Sequence, residues 1–180
     1  MTARRTAKIP WSVPVRRDDV PESGLHLDLV ADEATRAAVA AAAGVRTFPR
    51  LAASFDVARQ GAGLRVAGEV RATVEQTCVV TLEPLTNEVS EPIELIFVAG
   101  TAAAPGAEAA ETIDPAAADE PELLVDGVAD LGVVATEFLL LAIDPYPRKP
   151  GAVFEAPKAA DAGTHPFAAL AALKKGREDK

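Results

Sequence analysis

LRVAGEVRATVEQTCVVTLEPL, residues 64–85, is the longest stretch of two-residue alternation in the chain and decides the fold. Apolar side chains fall mostly at every second position, with charged or hydroxyl side chains between them. The inward set is Leu64, Val66, Val70, Ala72, Val74, Cys78 and Val80, and the outward set is Arg65, Glu69, Arg71, Thr73, Glu75 and Thr77. A period of two with one apolar face predicts a β-strand that packs one side on a core and exposes the other.

Shorter alternating stretches on either side predict partner strands for this one. Residues 51–57 alternate in the same way, and the Gly-Ala-Gly turn at residues 61–63 supplies the positive φ that a tight hairpin requires. On the other side, Thr86 and Asn87 predict a turn into a third strand over residues 89–98. We therefore predict three consecutive antiparallel strands.

Two further short strands are predicted at the margins of this meander. Leu25, Leu27 and Leu29 alternate with polar residues, which places His26 on the side that faces solvent. Residues 123–125 are an apolar triplet directly before an Asp-Gly turn. Neither stretch carries a catalytic motif.

Helix signals occur at three places. Asp32 is a candidate N-cap before an Ala-rich run that ends at Gly44, and Asp130 is a candidate N-cap before LGVVATEFLLLAI. The third signal is HPFAALAALKK, residues 165–175, which predicts a short amphipathic helix that docks on its own domain or on a partner. In the second helix the residues expected to face the core are Leu131, Val134, Phe138 and Leu141.

These elements predict a single α+β domain over residues 25–154, with an antiparallel meander sheet, open or barrel-like, packed with two or three helices. Residues 1–24 are rich in proline and predict an extended segment whose Trp and Val side chains dock on the core. Residues 99–121 contain Ala, Pro and acids with little to bury, so we predict a disordered, flexible acidic insertion. Residues 155–180 complete the chain as a linker and the short C-terminal helix.

Charge is distributed unevenly along the chain, whose formal net charge is -9. Residues 1–71 carry 11 Lys and Arg against 8 acids, residues 72–147 carry none against 15, and residues 148–180 carry 7 against 4. Proteins that hold a nucleic-acid backbone over a broad face need clustered cations. This distribution argues against DNA binding and against a broad RNA-binding surface.

Motifs for catalysis are missing from the sequence. It has no Gly-rich phosphate loop, His-Glu-x-x-His, Cys-x-x-Cys or Gly-x-Ser-x-Gly. Cys78 lies on the apolar face of its strand with no His nearby in sequence, which predicts a buried inert thiol rather than a nucleophile. We therefore predict that the protein is not an enzyme and has no cofactor, no metal and no small-molecule substrate.

The sequence also predicts a cytoplasmic protein. A single Cys fits a reducing compartment, and no apolar run approaches the roughly 18 residues of a membrane-spanning helix. The basic residues at the start of the chain are not followed by the apolar core of a signal peptide.

Three blocks together resemble a known family. They are VEQTCVVTLEPL (residues 74–85), DGVADLGVVATEFLLLAIDPYPRKPGAVF (126–154) and HPFAALAALKK (165–175). In this order they resemble the YceD family, the bacterial and plastid large ribosomal RNA subunit accumulation proteins, in its alphaproteobacterial form. The resemblance implies a noncatalytic α+β domain that supports accumulation of the large-subunit ribosomal RNA through its processing or assembly.

The chain departs from this family at one position. Many relatives carry a second Cys three residues after the first, where this chain has Thr81 after Cys78. A structural zinc site needs about four ligands. A metal role suspected in relatives is therefore not expected here.

The resemblance implies the large-subunit ribosomal precursor as partner, either its RNA or a ribosomal protein. The cations that we predict to contact phosphate or an acidic partner are Arg148 and Lys149 in the PYPRKPG loop, and Lys174 and Lys175 near the end of the chain. An alternative of another class is an acidic adaptor or chaperone-like module that binds a basic ribosomal protein through residues 72–147. Both hypotheses stay open at the level of sequence.

Overall fold

The computed structural model describes residues 10–99 and 121–154. Its elements are β1 (Pro14–Arg16), β2 (Leu25–Val30), α1 (Glu33–Ala43), β3 (Thr47–Gln60), β4 (Gly63–Thr77), β5 (Pro84–Ala99), β6 (Glu122–Leu124), β7 (Val128–Asp130) and α2 (Leu131–Ala142). The fold is α+β, as predicted. The expected disorder of the insertion and the expected C-terminal helix concern residues that lie outside the described part of the chain.

Five strands form one open sheet in the order β2-β3-β4-β5-β6. Neighbours from β2 to β5 are antiparallel, which confirms the meander, and β6 runs parallel to the end of β5. Because β2 and β6 lie at opposite edges and do not pair, the sheet is open rather than barrel-like. β1 and β7 form a separate antiparallel ribbon.

One face of the sheet carries the core, and the alternation of β3 and β4 sets that face. Side chains at most 1% exposed on these two strands include Leu51, Phe55, Val57, Leu64, Val66, Val70 and Val74. Burying one such side chain contributes roughly 1.5–3 kcal/mol. The predicted inward positions from Leu64 to Val74 are thus confirmed. The strand ends at Thr77, earlier than predicted, so Cys78 and Val80 lie in the turn that follows, where Cys78 is buried and Val80 is only half-buried.

The turn between β4 and β5 lies earlier than predicted. The chain turns through residues 78–83, with Leu82 at a φ of 59°. β5 already pairs with β4 from Pro84 onward, so the predicted turn at Thr86 and Asn87 is wrong. A bulky residue rarely adopts positive φ, and no Gly or Asn marks this turn in the sequence.

The first helix begins and ends where the sequence predicted. The Asp32 carboxylate accepts a hydrogen bond from the backbone N–H of Thr35 at 2.7 Å. Gly44 closes the helix in the left-handed conformation, with a φ of 67°. α1 buries Val39 and Ala40 and packs against β3.

The N-terminal segment packs against the start of α2, as its apolar side chains predicted. Trp11 and Val15 are buried. A Cβ at Gly132, in the first turn of α2, would lie 2.8 Å from the carbonyl oxygen of Trp11. Only a glycine lets the two backbones approach this closely.

The buried stripe of α2 differs in part from the prediction. The helix packs on β4 and β5, and its fully buried residues include Leu131, Ala135 and Leu139. Three of the four residues expected to face the core do so, but Leu141 is 85% exposed. Nearly every position of this helix is apolar. Its sequence therefore contains two possible apolar faces, and periodicity alone does not predict which of them is buried.

Candidate functional site

Two loops that are distant in sequence meet at one end of the sheet. Residues 78–83 join β4 to β5, and residues 144–151 follow α2. The backbone N–H of Val79 donates to the carbonyl oxygen of Pro147 at 2.9 Å, which joins the loops directly. We call the surface formed by residues 78–83 and 144–151 the two-loop face.

A buried glutamine ties the second loop to the sheet. Gln76 is 6% exposed, and its side-chain N–H donates to the carbonyl oxygen of Asp144 at 2.8 Å. Its side-chain oxygen accepts from the Asn87 amide at 3.0 Å, so both ends of the buried amide are satisfied. The sequence signal was present, because Gln76 occupies an inward position of the alternation between Val74 and Cys78.

Cys78 lies beneath the two-loop face with no exposed surface. Its Sγ accepts hydrogen bonds from the backbone N–H of Lys149 at 3.3 Å and of Thr81 at 3.4 Å. Hydrogen bonding by the Thr81 side chain and by these N–H groups lowers the pKa of Cys78 to about 6, although burial alone would raise it. Burial was predicted from the alternation, whereas the low pKa depends first on Thr81 in the same turn and then on Lys149, 71 residues further along the chain.

Arg148 and Lys149, which were predicted to act together, have different surroundings in the structure. Arg148 is exposed and forms no ion pair with the described residues. The Nζ of Lys149 lies 2.9 Å from the Glu83 carboxylate, which raises the pKa of Lys149 and lowers that of Glu83. Of the two, Arg148 is the one whose charge is available to a partner. Lys174 and Lys175 lie outside the described residues.

Exposed apolar side chains surround these charges on the two-loop face. Val79 is 44% exposed, Leu82 76% and Tyr146 71%. The backbone N–H of Tyr146 donates to the Asp144 carboxylate at 2.8 Å, which fixes the loop that carries the ring. Aromatic and aliphatic groups on a fixed exposed loop are typical of surfaces that bind a macromolecule. The sequence analysis missed Leu82 because its exposure depends on the position of the turn.

Residues 66–174 match the family model described as large ribosomal RNA subunit accumulation protein YceD. The match covers more than half of the chain. The chain belongs to the YceD family. No curated protein and no solved structure matches it. The alphaproteobacterial form stays a prediction.

The YceD-family match includes both loops of the two-loop face, since it starts within β4 and continues beyond α2. Over residues 10–99 and 121–154, no group of three or more His, Cys, Asp or Glu side chains is placed to hold a metal ion. No helix in the same ranges is long and apolar enough to cross a membrane.

Two hollows lined by described residues of this YceD-family protein differ in position and lining. One, of about 210 Å³, borders the two-loop face and is smaller than the roughly 300–1,000 Å³ of typical ligand pockets. The other, of about 460 Å³, lies across β2, β3 and β4 and is lined by charges of both signs, including the Glu69–Arg71 ion pair. Neither hollow contains a cysteine or histidine among its lining residues.

His26 lies on β2, outside the two-loop face. It is exposed on β2, as predicted, and its Nδ1 lies 2.8 Å from the Asp56 carboxylate. Its Nε2 lies 3.6 Å from the Asp28 carboxylate, so both ring nitrogens face acids. The hydrogen bond to Asp56 and both negative charges raise the pKa of His26.

Proposed function

We propose that this YceD-family protein is a noncatalytic factor in ribosome biogenesis that supports accumulation of the large-subunit ribosomal RNA by aiding its processing or assembly. The observation that carries the proposal is the family match over residues 66–174, because the family is named for this accumulation and not for a reaction. The two-loop face supports it, since its exposed apolar side chains and the charge of Arg148 are typical of a binding surface.

The two-loop face contacts the large-subunit precursor in this proposal. Arg148 supplies a charge that no described side chain neutralises, and Tyr146, Leu82 and Val79 supply apolar area around it. The net charge of -9 opposes RNA over most of the surface, so RNA contact is limited to one small footprint. The apolar part of the face suits a ribosomal protein.

The role is tested in cells that lack this protein. We expect the ratio of large- to small-subunit ribosomal RNA to fall in these cells, and to return when the wild-type gene is restored. The measurement is the ratio of the two RNAs in total RNA. An unchanged ratio would show that the family resemblance does not predict the role of this chain.

The contact is tested in the same cells with single charge reversals. We expect Arg148→Glu to fail to restore the RNA ratio, because it places a negative charge where the partner meets a cation. Arg16→Glu is the matched control, since Arg16 is exposed on β1 and forms no ion pair with the described residues. Reversing Lys149 is less informative because it also breaks the ion pair with Glu83. Full rescue by Arg148→Glu would show that Arg148 does not contact the partner.

A second candidate function is the acidic adaptor that binds a basic ribosomal protein. It is favoured by the complete lack of Lys and Arg in residues 72–147, which include β5 and α2. Recovery of partners on the tagged protein after nuclease treatment distinguishes the two. A basic ribosomal protein that stays bound to Arg148→Glu without RNA supports the adaptor, and loss of all partners with the RNA supports direct RNA contact.

A further inference from the structure

β5 has one side that the described chain leaves largely unpaired. It pairs with β4 along its length, from Pro84 to Phe97. On its other side β6 pairs only with the end of the strand, from Phe97 to Ala99. Among the residues that the structure describes, no strand therefore covers this side of β5 between residues 84 and 96.

Two prolines define the part of this side that can accept another strand. Alternate residues of an edge strand direct their backbone N–H and C=O groups away from the sheet. Pro84 and Pro92 have no backbone N–H. Every residue from 85 to 91 keeps its backbone N–H, and this is the longest such run on the unpaired side of β5. We call residues 85–91 the β5 edge. The short parallel pairing with β6 shows that this side of β5 accepts a strand.

The β5 edge and its surroundings carry excess negative charge. Glu88 accepts a hydrogen bond from the Thr73 hydroxyl at 3.1 Å, which leaves its charge uncompensated. Glu91 forms no ion pair with the described residues. β5 itself carries no Lys or Arg.

We propose that the β5 edge binds an extended Lys- and Arg-rich segment of a partner protein, which adds to the sheet as a strand beside β5. Hydrogen bonds between the two backbones supply affinity in this mode, and alternate side chains supply specificity. Basic side chains of the segment pair with Glu88 and Glu91, which lie on opposite faces of β5 because they are three residues apart. The inference deepens the adaptor alternative, on which it rests, by naming the chemistry of the partner.

Other occupants fit the β5 edge less well. RNA is repelled because the edge offers carboxylates and no cations. A second copy, paired edge to edge, places the acids of one β5 against those of the other, and like charges on facing strands are destabilising. The segment at residues 100–120 of the same chain carries five acids and no Lys or Arg, so its charge also opposes this position.

Binding of a synthetic peptide to the full chain tests the proposal. The probe is a fluorescently labelled extended peptide of repeating Lys-Lys-Val, as long as the edge, whose Lys side chains point to both faces, and its binding is followed by fluorescence anisotropy. The control peptide has the same sequence with alternate backbone nitrogens methylated. Methylation keeps the charges and removes the hydrogen-bond donors of one side of the peptide. The edge variant is Glu88→Lys/Glu91→Lys, and the matched control is Glu22→Lys/Glu33→Lys, which makes the same charge change at exposed positions elsewhere.

We expect the unmethylated peptide to bind the wild type and the control alike, and to bind the edge variant at least about tenfold more weakly. We expect no binding of the methylated peptide, because strand addition needs its backbone donors. Equal binding of both peptides would overturn the proposal, since charge alone would then explain it. Equal binding to the edge variant would also overturn it. If the peptide binds only after residues 155–180 are removed, the proposal is also overturned, because the basic end of the same chain would then be what binds the β5 edge.

The result is separable from the proposed role in ribosome biogenesis. If the peptide fails to bind while deletion of the gene still lowers the large-subunit RNA ratio, the proposed strand addition at the β5 edge is wrong and the proposed role in ribosome biogenesis stands. If the peptide binds and the RNA ratio does not change, the proposed strand addition stands and the proposed role in ribosome biogenesis is wrong.

Discussion

Cys78 shows how the surroundings of a single residue add to what its place in the sequence predicts. The alternation predicts a buried, inert thiol, and the side chain is indeed buried, while its inertness stays a prediction. The hydrogen bonds that it accepts from Thr81 and Lys149 favour the thiolate form and lower the pKa of the thiol. These contacts come from two loops, and only one of them is near in sequence.

The ultraviolet absorbance of the thiolate should therefore titrate with a midpoint at about pH 6 in the folded protein, against 9.0 for an ordinary thiol. Because the folded pKa lies below the unfolded one, the stabilisation from Cys78 is fully present above pH 9.0 and is lost as the pH falls through about 6. The absorbance change should vanish in Cys78→Ser. A midpoint near 9 in the wild type would contradict the assigned hydrogen bonds.

The two helices begin with the same type of cap but depend on it to different degrees. Asp32 accepts one backbone hydrogen bond, from Thr35. Asp130 accepts from Gly132 and Val133 and also from the backbone N–H of Val13, at 2.7 Å. The second cap therefore joins α2 to the N-terminal segment as well as starting the helix.

Asp130→Ala should lower the free energy of unfolding by about 2 kcal/mol, the upper end of the range for N-caps, because it also releases the N-terminal segment. Asp32→Ala should cost about 1 kcal/mol, since only one hydrogen bond is lost. Urea denaturation of the two variants measures the difference. An equal or larger loss for Asp32→Ala would show that the contact with Val13 contributes nothing.

Elements with local signals were predictable, and contacts between distant segments were not. The long strand, its hairpin with β3 and both helix starts followed from alternation, the turn at residues 61–63 and the two aspartate caps. The pairing of β1 with β7 joins segments of three residues that are more than a hundred residues apart, so no local pattern marks it. The meeting of the two loops depends on such distant contacts too, which is why Arg148 and Lys149 received the same prediction and have different surroundings.

Two surfaces of the molecule differ in character. The two-loop face combines apolar side chains with the charge of Arg148, and the β5 edge combines acids with backbone groups that no described strand pairs. If this protein contacts the large-subunit precursor as proposed, its net charge of -9 favours small contacts of this kind over a broad basic face. Both surfaces lie within the YceD-family match.

We propose that this protein acts on the large-subunit precursor itself, and the account depends on this central claim more than on any other. The most direct measurement is the distribution of the tagged protein across a sucrose gradient of a cell lysate, read against the precursor ribosomal RNAs. We expect the wild type and Arg16→Glu to sediment with large-subunit precursor particles, and Arg148→Glu to move to the top of the gradient. If the wild type itself stays at the top under conditions that keep the particles intact, the protein does not bind the precursor and the central claim is wrong.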